Sequence, residues 1–316
     1  MRAVRFARCG GPEVLSVDEV AEPAGPTGDQ LLVRVEASSV NGTDLGLRRG
    51  DLRVAVVGRL PFTPGFDLAG TVLSCGPAVT AFAPGDRVMA LLGHGGGGLA
   101  ERVLLRQGRA ARVPAAVSAV DAAALPLAGL TALQALHGKA ALHTRPAARV
   151  LVHGASGGIG SYAVQLAKLA GAHVTATGSA DKLDAVAGLG ADEVVDRRAH
   201  DVTALGRRWD VVLDVPGVLS YSDVRPVLTD GGVLVSTRPI SVDALRVLLP
   251  GRSRGGPGFA AVMTAARSQD LARLAGLVEQ GLLRPLVDAV LPLEQAAQAH
   301  RRAEGPAVGK VVLTLT

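Results

Sequence analysis

The stretch Val150-Leu-Val-His-Gly-Ala-Ser-Gly-Gly-Ile-Gly160 predicts a strand, a tight turn and the start of a helix. The apolar, β-branched residues before Gly154 are typical of a short buried strand. Three glycines follow within four positions, and the segment 161–170 then has apolar residues at helical spacing without a helix breaker. A helix N-terminus with exposed N–H groups and no Cβ atoms in the way favours close approach of a pyrophosphate.

The pattern is G-x-G-x-x-G with Ala155 in the place of the first glycine, and its surroundings favour a dinucleotide site. A second strand is predicted at 173–177, a helix at 181–189 and a third strand at 192–195. This βαβαβ order is the context that the motif requires. On the motif alone, an ordinary loop in a chain of 40 glycines stays an alternative. The residues expected to hold the pyrophosphate are Ala155, Ser156, Gly157, Gly158, Ile159 and Gly160.

The residues that follow the second strand favour NADPH over NADH. An NAD site usually carries Asp or Glu about 20 residues after the glycines, where it binds the ribose 2′-hydroxyl. Gly178 stands there, and hydroxyl or cationic side chains surround it in sequence. Such donors suit a 2′-phosphate, which disfavours a neighbouring carboxylate. The expected contacts are Gly178, Ser179, Lys182 and Arg197, with Arg198 beside them.

Two observations keep an alternative open at this position. Lys182 and the two arginines also fit the description of solvated surface charges. Asp181 is a carboxylate close to the expected phosphate, and we assign it to the N-cap of the following helix.

Length and composition exclude several classes of protein. With 316 residues the chain is long enough for two domains, and 48% hydrophobic residues supply a sizeable core. Two cysteines exclude a disulfide framework and a four-cysteine zinc site. The net charge of +5 is carried by scattered arginines, and aromatic residues are only 3%, so we expect no nucleic-acid partner.

The most apolar run, 113–136, is interrupted by Pro114, Asp121 and Pro126 and is too broken for a membrane span. It predicts two buried helices that begin near Ser118 and Gly129. No basic-plus-apolar signal opens the chain, which predicts a cytoplasmic protein.

The fold class expected is α/β, with a doubly wound Rossmann sheet and a β-rich domain of barrel type. Short predicted strands punctuated by Gly and Pro occupy the first third of the chain, for example the alternating segment 31–37. We assign residues 118–263 to the Rossmann domain. Residues 1–117 and 264–316 form the second, discontinuous domain, because the last strands are expected to rejoin the first ones.

Several short motifs, in this order and spacing, resemble the medium-chain dehydrogenase/reductase superfamily over nearly the whole chain. The resemblance is to its zinc-free quinone oxidoreductase and enoyl reductase branch. It implies a GroES-like catalytic domain split around a Rossmann domain, an active site in the cleft between them, and a homodimer through the edge of the Rossmann sheet. The motifs are Val40-Asn-Gly-Thr-Asp44, Pro64-Gly-Phe-Asp-Leu-Ala-Gly70, Phe82-Ala-Pro-Gly-Asp-Arg-Val88, Gly97-Gly-Leu-Ala-Glu101, Leu125-Pro-Leu-Ala-Gly-Leu-Thr-Ala132, Val152-His-Gly-Ala-Ser-Gly-Gly-Ile-Gly160 and Gly309-Lys-Val-Val-Leu313.

The resemblance also implies a site without a metal. Zinc-dependent members carry Cys where Asn41 stands, a His-Glu pair where Phe66 and Asp67 stand, and another Cys near Leu127. A catalytic zinc needs about three nitrogen or sulfur ligands, and this chain does not offer them at that spacing. The reaction left open is hydride transfer to a carbon that is already electron-poor, in a quinone or an activated C=C bond, both small molecules.

The same resemblance suggests roles for individual residues. Asn41 is the expected hydrogen-bond donor beside the nicotinamide, with an ordinary loop asparagine as the alternative. Thr43 is a candidate substrate contact, and His94, in a glycine-rich loop, is a candidate proton source. Residues expected near the nicotinamide half of the cofactor are Asn41, Thr131, Val215, Ser236, Thr237 and Lys310.

One departure from the family leaves the function open. Many relatives carry Tyr near the reacting centre where this chain has Gly46, which removes a candidate proton donor. Two alternatives therefore stand beside a reductase: a catalytically silent NADPH-binding protein with a structural or regulatory role, and a redox-neutral biosynthetic enzyme on the same fold.

Overall fold

The computed structural model describes residues 1–52, 58–93, 95–238, 257–305 and 307–315. Its internal contacts divide the chain into two compact units. The first unit comprises Met1–Leu130 and Ala266–Thr316, and the second comprises Thr131–Ala265. The helix at Ala119–Ala124, which the sequence analysis assigned to the Rossmann domain, lies within the first of these units.

The strands of the described residues follow one another in chain order. They are β1 (Arg2–Arg5), β2 (Ser16–Glu19), β3 (Gln30–Val40), β4 (Asp67–Cys75), β5 (Arg87–Leu91), β6 (Arg102–Arg106), β7 (Ala110–Arg112), β8 (Arg149–His153), β9 (His173–Gly178), β10 (Glu193–Asp196), β11 (Trp209–Asp214), β12 (Leu228–Ser236), β13 (Gly258–Ala261), β14 (Val287–Pro292) and β15 (Lys310–Thr314).

The α-helices of the described residues follow the same order. They are α1 (Gly42–Arg49), α2 (Ala119–Ala124), α3 (Pro126–Leu133), α4 (Gly158–Leu169), α5 (Leu183–Ala187), α6 (Tyr221–Val224), α7 (Ser268–Glu279) and α8 (Ala296–Glu304). None of them is long and apolar enough to cross a membrane.

The first unit is built on a seven-stranded sheet in the order β14-β15-β3-β4-β5-β7, with β6 also paired to β3. Alternate residues of β3, namely Leu31, Val33 and Val35, are completely buried, as the alternation in the sequence predicts. The prediction that the last strands rejoin the first ones is confirmed, because β15 pairs antiparallel with β3 and places Val311 opposite Val40.

The second unit is built on a six-stranded, all-parallel sheet in the order β10-β9-β8-β11-β12-β13. The chain runs outward from β8 to β10 and then returns to start again at β11, on the other side of β8. The strand order therefore reverses between β8 and β11, and ligands of such sheets bind at the carboxyl ends of the strands at this point. The α/β fold class predicted from the sequence, with a Rossmann-type sheet and a β-rich second unit, is confirmed.

The structure adds elements that the sequence analysis did not predict. Helix α1 occupies a segment that was taken for a loop. The helix expected from Gly129 begins at Pro126 instead, and it continues into a π-helical segment, Gln134–Lys139.

Candidate functional site

The turn between β8 and α4 has a backbone that requires glycine at specific positions. Gly154 has φ of +81°, and a Cβ there would lie 2.8 Å from Pro216 Cδ. The N–H of the next residue, Ala155, donates to the carbonyl oxygen of Thr177 at 2.8 Å, which ties the turn to β9. The turn is thus held by the two strands that flank β8.

Gly160 and Gly157 do different things in this turn. A Cβ on Gly160 would lie 2.3 Å from the oxygen of Gly154 and 2.6 Å from Cα of Ala155, so the helix packs directly on the turn. A Cβ on Gly157 would meet only the oxygen of Gly154, at 3.6 Å. Gly157 is the N-cap of α4, whose first-turn N–H groups have no partner within the helix. This arrangement fits the phosphates of a dinucleotide.

The ends of β11 and β12 meet beside this turn. The N–H of Val215 donates to the oxygen of His153 at 3.1 Å, and the hydroxyl of Thr237 donates to the oxygen of Val215 at 2.7 Å. Ser236 accepts at its hydroxyl from the N–H of Arg238 at 3.1 Å. The structure therefore brings Val215, Ser236 and Thr237 to the sheet edge that holds the glycine turn.

His153 ends β8 and lies at the same edge, although the sequence analysis assigned it no role in the site. Its Nδ1 lies 3.0 Å from the hydroxyl of Thr177, which also accepts from the N–H of Gly154 at 3.1 Å. Burial is the main cause that lowers the pKa of His153; Arg197 also lowers it, while Asp214 opposes them. A neutral His153 can accept a hydrogen bond from the Thr177 hydroxyl at Nδ1, and this contact helps to hold the start of the turn.

The carboxyl ends of β9 and β10 bring the expected 2′-phosphate contacts together. Register places Gly178 opposite Asp196, and the N–H of Arg197 donates to the oxygen of Gly178 at 2.9 Å. Arg198 follows at the same edge, and Lys182 ends the short 3-10 turn after β9.

Asp181 is not the helix cap that the sequence analysis assigned. Ser179 caps the 3-10 turn and Lys182 precedes α5. The carboxylate of Asp181 instead hydrogen-bonds Ser179, which is the main cause that lowers its pKa; nearby Lys182 and Arg198 lower it further. The expected phosphate site thus already contains one carboxylate.

Thr131 begins the second unit and is 3% exposed. Its hydroxyl lies 2.6 Å from that of Thr264. One helical turn later, the amide of Gln134 both donates to the oxygen and accepts from the N–H of Ala265, each at 2.9 Å. These contacts join the two ends of the second unit.

In the first unit, Asn41 stands between β3 and α1 as the N-cap of that helix. Asp44, three residues on, accepts at one carboxylate oxygen from the N–H of Asn41 at 2.9 Å and at the other from the N–H of Gly65 at 2.7 Å. Gly50 ends the helix with φ of +98°. The spacing of cap, acidic residue and terminal glycine is a signal for a short helix that the sequence analysis missed.

The side chain of Asn41 belongs to a buried network with Asp67 and Lys310. Its Nδ2 donates to Asp67 Oδ2 at 2.8 Å and to the oxygen of Ser39 at 3.2 Å. Its Oδ1 accepts from the Nζ of Lys310, which also donates to the oxygen of Val40 at 3.1 Å and lies 3.5 Å from Asp67 Oδ2. All three hydrogens of the ammonium are therefore used inside the first unit.

Asp67 collects further donors from neighbouring elements. The hydroxyl of Ser39 donates to its Oδ2 at 2.5 Å, and the N–H of Leu127, near the start of α3, donates to its Oδ1 at 2.7 Å. Burial lowers the pKa of Lys310, although Asp67 and Asp44 oppose this, and burial raises the pKa of Asp44 to about 6. Among the residues that the structure describes, no group of three or more His, Cys, Asp or Glu is placed to hold a metal ion.

Three further candidate positions of the first unit are Thr43, Gly46 and His94. Thr43 is half-buried in the first turn of α1, and its hydroxyl has no partner within the described part of the chain. At Gly46 an added Cβ would meet only Leu52 and Asp51, at 3.6 Å or more. His94 lies outside the described residues.

Sequence reasoning placed Asn41 and Lys310 in separate motifs and did not assign Asp67 or Ser39 to a site. The rarity of two residue types is a sequence signal for the contact between Asn41 and Lys310. Asn41 is the only asparagine in the chain, and Lys310 is one of only four lysines among 33 basic residues. A chain that uses these two residue types so rarely places one of each in direct contact.

Comparison with known proteins agrees with this architecture. Residues 27–115 match the family described as alcohol dehydrogenase GroES-like domain, and residues 189–313 match zinc-binding dehydrogenase. The chain is 35% identical to the chloroplast envelope quinone oxidoreductase homolog of Arabidopsis thaliana, over 99% of this chain and 98% of the relative.

Two solved structures extend the likeness. The quinone oxidoreductase from Coxiella burnetii superposes with a TM-score of 0.90 at 30% identity, covering 100% of this chain and 99% of that one. CurK enoyl reductase superposes with a TM-score of 0.85 at 26% identity, covering 100% and 99%. The chain therefore belongs to the medium-chain dehydrogenase/reductase superfamily and is an oxidoreductase of its quinone oxidoreductase branch.

Proposed function

We propose that the protein is an NADPH-dependent, zinc-independent reductase that transfers a hydride to a quinone or to an activated C=C bond. The observation that carries this proposal is the network of Asn41, Asp67 and Lys310. Asn41 and Asp67 stand where zinc-dependent relatives carry metal ligands, and the Lys310 ammonium contacts both. A dication placed there would meet a positive charge that is already hydrogen-bonded, so the site suits a reaction without a metal.

The fit to a dinucleotide rests on the second unit. The open turn at Gly157, the first-turn N–H groups of α4 and the donors around Ser179 and Arg197 would hold the phosphates. When bound, NADPH supplies the hydride. The residues proposed to hold its nicotinamide half are Asn41, Thr131, Val215, Ser236, Thr237 and Lys310, the last of them through Asn41.

The residues of the first unit would stabilise the charge that develops on the substrate. Hydride addition to an enone or a quinone leaves negative charge on the carbonyl oxygen. The hydrogen that Asn41 shares with Ser39 is in a long bond of 3.2 Å, so an incoming carbonyl oxygen can compete for it. The unpartnered hydroxyl of Thr43 is a second donor, and solvent or His94 would supply the proton.

A panel of quinones and enones, followed by the absorbance of the reduced nicotinamide, tests the proposal. We expect turnover with NADPH on at least one class of acceptor. Asn41→Ala should lower the turnover number more than it weakens NADPH binding. Tight NADPH binding without any turnover would instead support the silent binding protein.

Two finer expectations stay proposals. Among the described residues, β13 has no strand partner on its outer side, which suits a homodimer formed through that edge, and sedimentation analysis would decide this. The cytoplasmic location stays a prediction, since the Arabidopsis relative is named for the chloroplast envelope.

A further inference from the structure

The buried ion pair of Asp67 and Lys310 lies on both sides of Asn41. In the sheet of the first unit, β3 runs between β15 and β4. Lys310 is the first residue of β15 and Asp67 is the first of β4, so the two charges flank the end of the central strand. Asn41 follows that end directly and is held from two directions.

We propose that Asp67 and Lys310 are positioning residues for Asn41, and that their ion pair fixes the orientation and polarisation of its side-chain amide. The inference rests on the proposed function in one respect only, that Asn41 contacts the reacting molecules. The orientation of the amide is a property of the protein alone and can be measured without substrate or cofactor.

The donors and acceptors around Asn41 fix the orientation of its side-chain amide. Oδ1 of Asn41 faces an ammonium, which can only donate, and Nδ2 faces a carboxylate, which can only accept when ionised. Exchange of the two amide ends would set donor against donor and acceptor against acceptor. The ion pair therefore allows only one orientation.

The ion pair also polarises the amide of Asn41 towards its charge-separated form. A cation on the oxygen and an anion on the nitrogen both stabilise the form with negative oxygen and positive nitrogen. Hydrogen bonds joined in such a chain strengthen one another. The second amide hydrogen of Asn41, held only by the long bond to Ser39, is thereby made a better donor to another acceptor.

Burial shows that Asn41 is the point at which this network can meet another molecule. Asp67 is completely buried and Lys310 is 3% exposed, whereas Asn41 is 6% exposed. A buried ion pair is often no more stabilising than apolar residues of the same shape. A stabilising role by itself therefore does not account for the pair, whereas control of Asn41 does.

The experiment uses the fact that Asn41 is the only asparagine. Labelling with ¹⁵N-asparagine yields one side-chain NH₂ group in the whole protein, so its two proton signals need no assignment. In the unliganded wild type we expect two well-separated signals that exchange slowly with water. In the double variant Asp67→Leu with Lys310→Met, which adds no second asparagine, we expect exchange to rise by about 10-fold or more, as loss of one or two oriented bonds implies.

Activity provides the second readout. The double variant should lower the turnover number by about 10-fold to 100-fold while the Kd for NADPH changes little, since removal of oriented donors acts on the reacting state. The single variant Lys310→Met leaves an unpaired buried carboxylate and should also unfold more easily. Adding Asp67→Leu to it removes that carboxylate and should restore stability without restoring turnover.

A second ion pair of the same unit is the matched control. Arg302 and Asp288 join α8 to β14, and Asp288 also accepts a backbone N–H, from Val308. The double variant Asp288→Leu with Arg302→Met should leave the Asn41 signals and the turnover number unchanged.

Unchanged Asn41 signals in the Asp67→Leu, Lys310→Met variant would overturn the proposal. So would a loss of turnover that only parallels a loss of thermal stability. If the wild type reduces no acceptor, the proposed function fails, yet the NMR comparison still decides whether the ion pair orients Asn41.

Discussion

At the scale of single residues, two glycines of one turn carry different requirements. A Cβ on Gly160 would overlap backbone atoms of Gly154 and Ala155, which cannot move aside as a flexible side chain can. A Cβ on Gly157 has room in the protein but would stand where we propose that a phosphate approaches. On this proposal, one motif combines a packing glycine with a ligand-approach glycine.

We therefore expect Gly160→Ala to lower the free energy of unfolding by about 1–3 kcal/mol or more, in the range of overpacked cores. Gly157→Ala should leave the free energy of unfolding nearly unchanged and weaken NADPH binding. Denaturant unfolding and calorimetric titration of both variants measure this. Equal loss of stability in the two would mean that the turn is packed differently.

His300 is a second residue with a consequence of its own. It is completely buried in α8, and neither ring nitrogen has a hydrogen-bond partner within the described residues. Burial, and to a smaller extent Arg48, lowers its pKa to about 3. Below its unfolded pKa of about 6.5, the unfolded chain binds a proton that the folded protein refuses.

The contribution of neutral His300 to stability is thus complete above about pH 6.5 and is lost as the pH falls towards 3. We expect the wild type to lose up to about 1.4 kcal/mol per pH unit over this window from His300. His300→Leu should remove this part of the slope. Urea unfolding at several pH values compares the two, and parallel curves would contradict the assignment.

At the scale of elements, we propose that the paired ends of β9 and β10 set the choice of dinucleotide. The sequence indicated this site through an absent carboxylate at Gly178, and register brings Arg197 beside it. The structure adds that Asp181 hydrogen-bonds Ser179. A bound 2′-phosphate would have to compete with that carboxylate.

The double variant Lys182→Ala with Arg197→Ala should raise the Kd for NADPH by about 10-fold to 100-fold, the range for hydrogen bonds to charged groups. It should raise the Kd for NADH much less. Asp181→Ala should act in the opposite direction and tighten NADPH. Titration of each variant with both dinucleotides measures the ratio of the Kd for NADPH to the Kd for NADH. An equal effect on NADPH and NADH would show that these side chains do not contact the 2′-phosphate.

Helix α1 shows why an element was missed at this scale. It spans eight residues with two glycines, and its apolar positions are too few for a clear helical period. Its start depends on Asp44, which binds both the N–H of Asn41 and the N–H of Gly65 in another motif. A helix stabilised by such a distant contact has a weak local signal.

At the scale of the whole molecule, all phosphate contacts proposed here lie in the second unit, which also contains the only tryptophan. Trp209 is buried in the core of that unit, so its fluorescence reports the unfolding of the unit that is proposed to bind the cofactor. Ligands that bind only the folded state stabilise it by RT ln(1 + [L]/Kd), which grows with the ratio of ligand concentration to Kd.

NADPH at a hundred times its Kd should therefore stabilise the transition seen by Trp209 fluorescence by about 2.7 kcal/mol. NADH at the same concentration should give a smaller shift. Thermal unfolding with each dinucleotide measures this, and the absence of any shift with NADPH would remove the cofactor assignment.

The sequence by itself determined the class of fold, the glycine turn and most strands of both units. These features depend on local periods, on backbone conformations open mainly to glycine, and on composition, all of which act over a few neighbouring residues. The sheet order of the second unit follows from the same βαβ units.

Only the tertiary structure decided which residues of the candidate site contact one another. Asn41 and Lys310 are 269 positions apart, and Asp67 is 26 positions from Asn41, yet the three meet because β15 and β4 pair on either side of β3. Strand pairing and register across such separations are set by the packing of the whole unit, which no local pattern encodes. The same physics placed Asp181 on Ser179 and buried His300 without a hydrogen-bond partner among the residues that the structure describes.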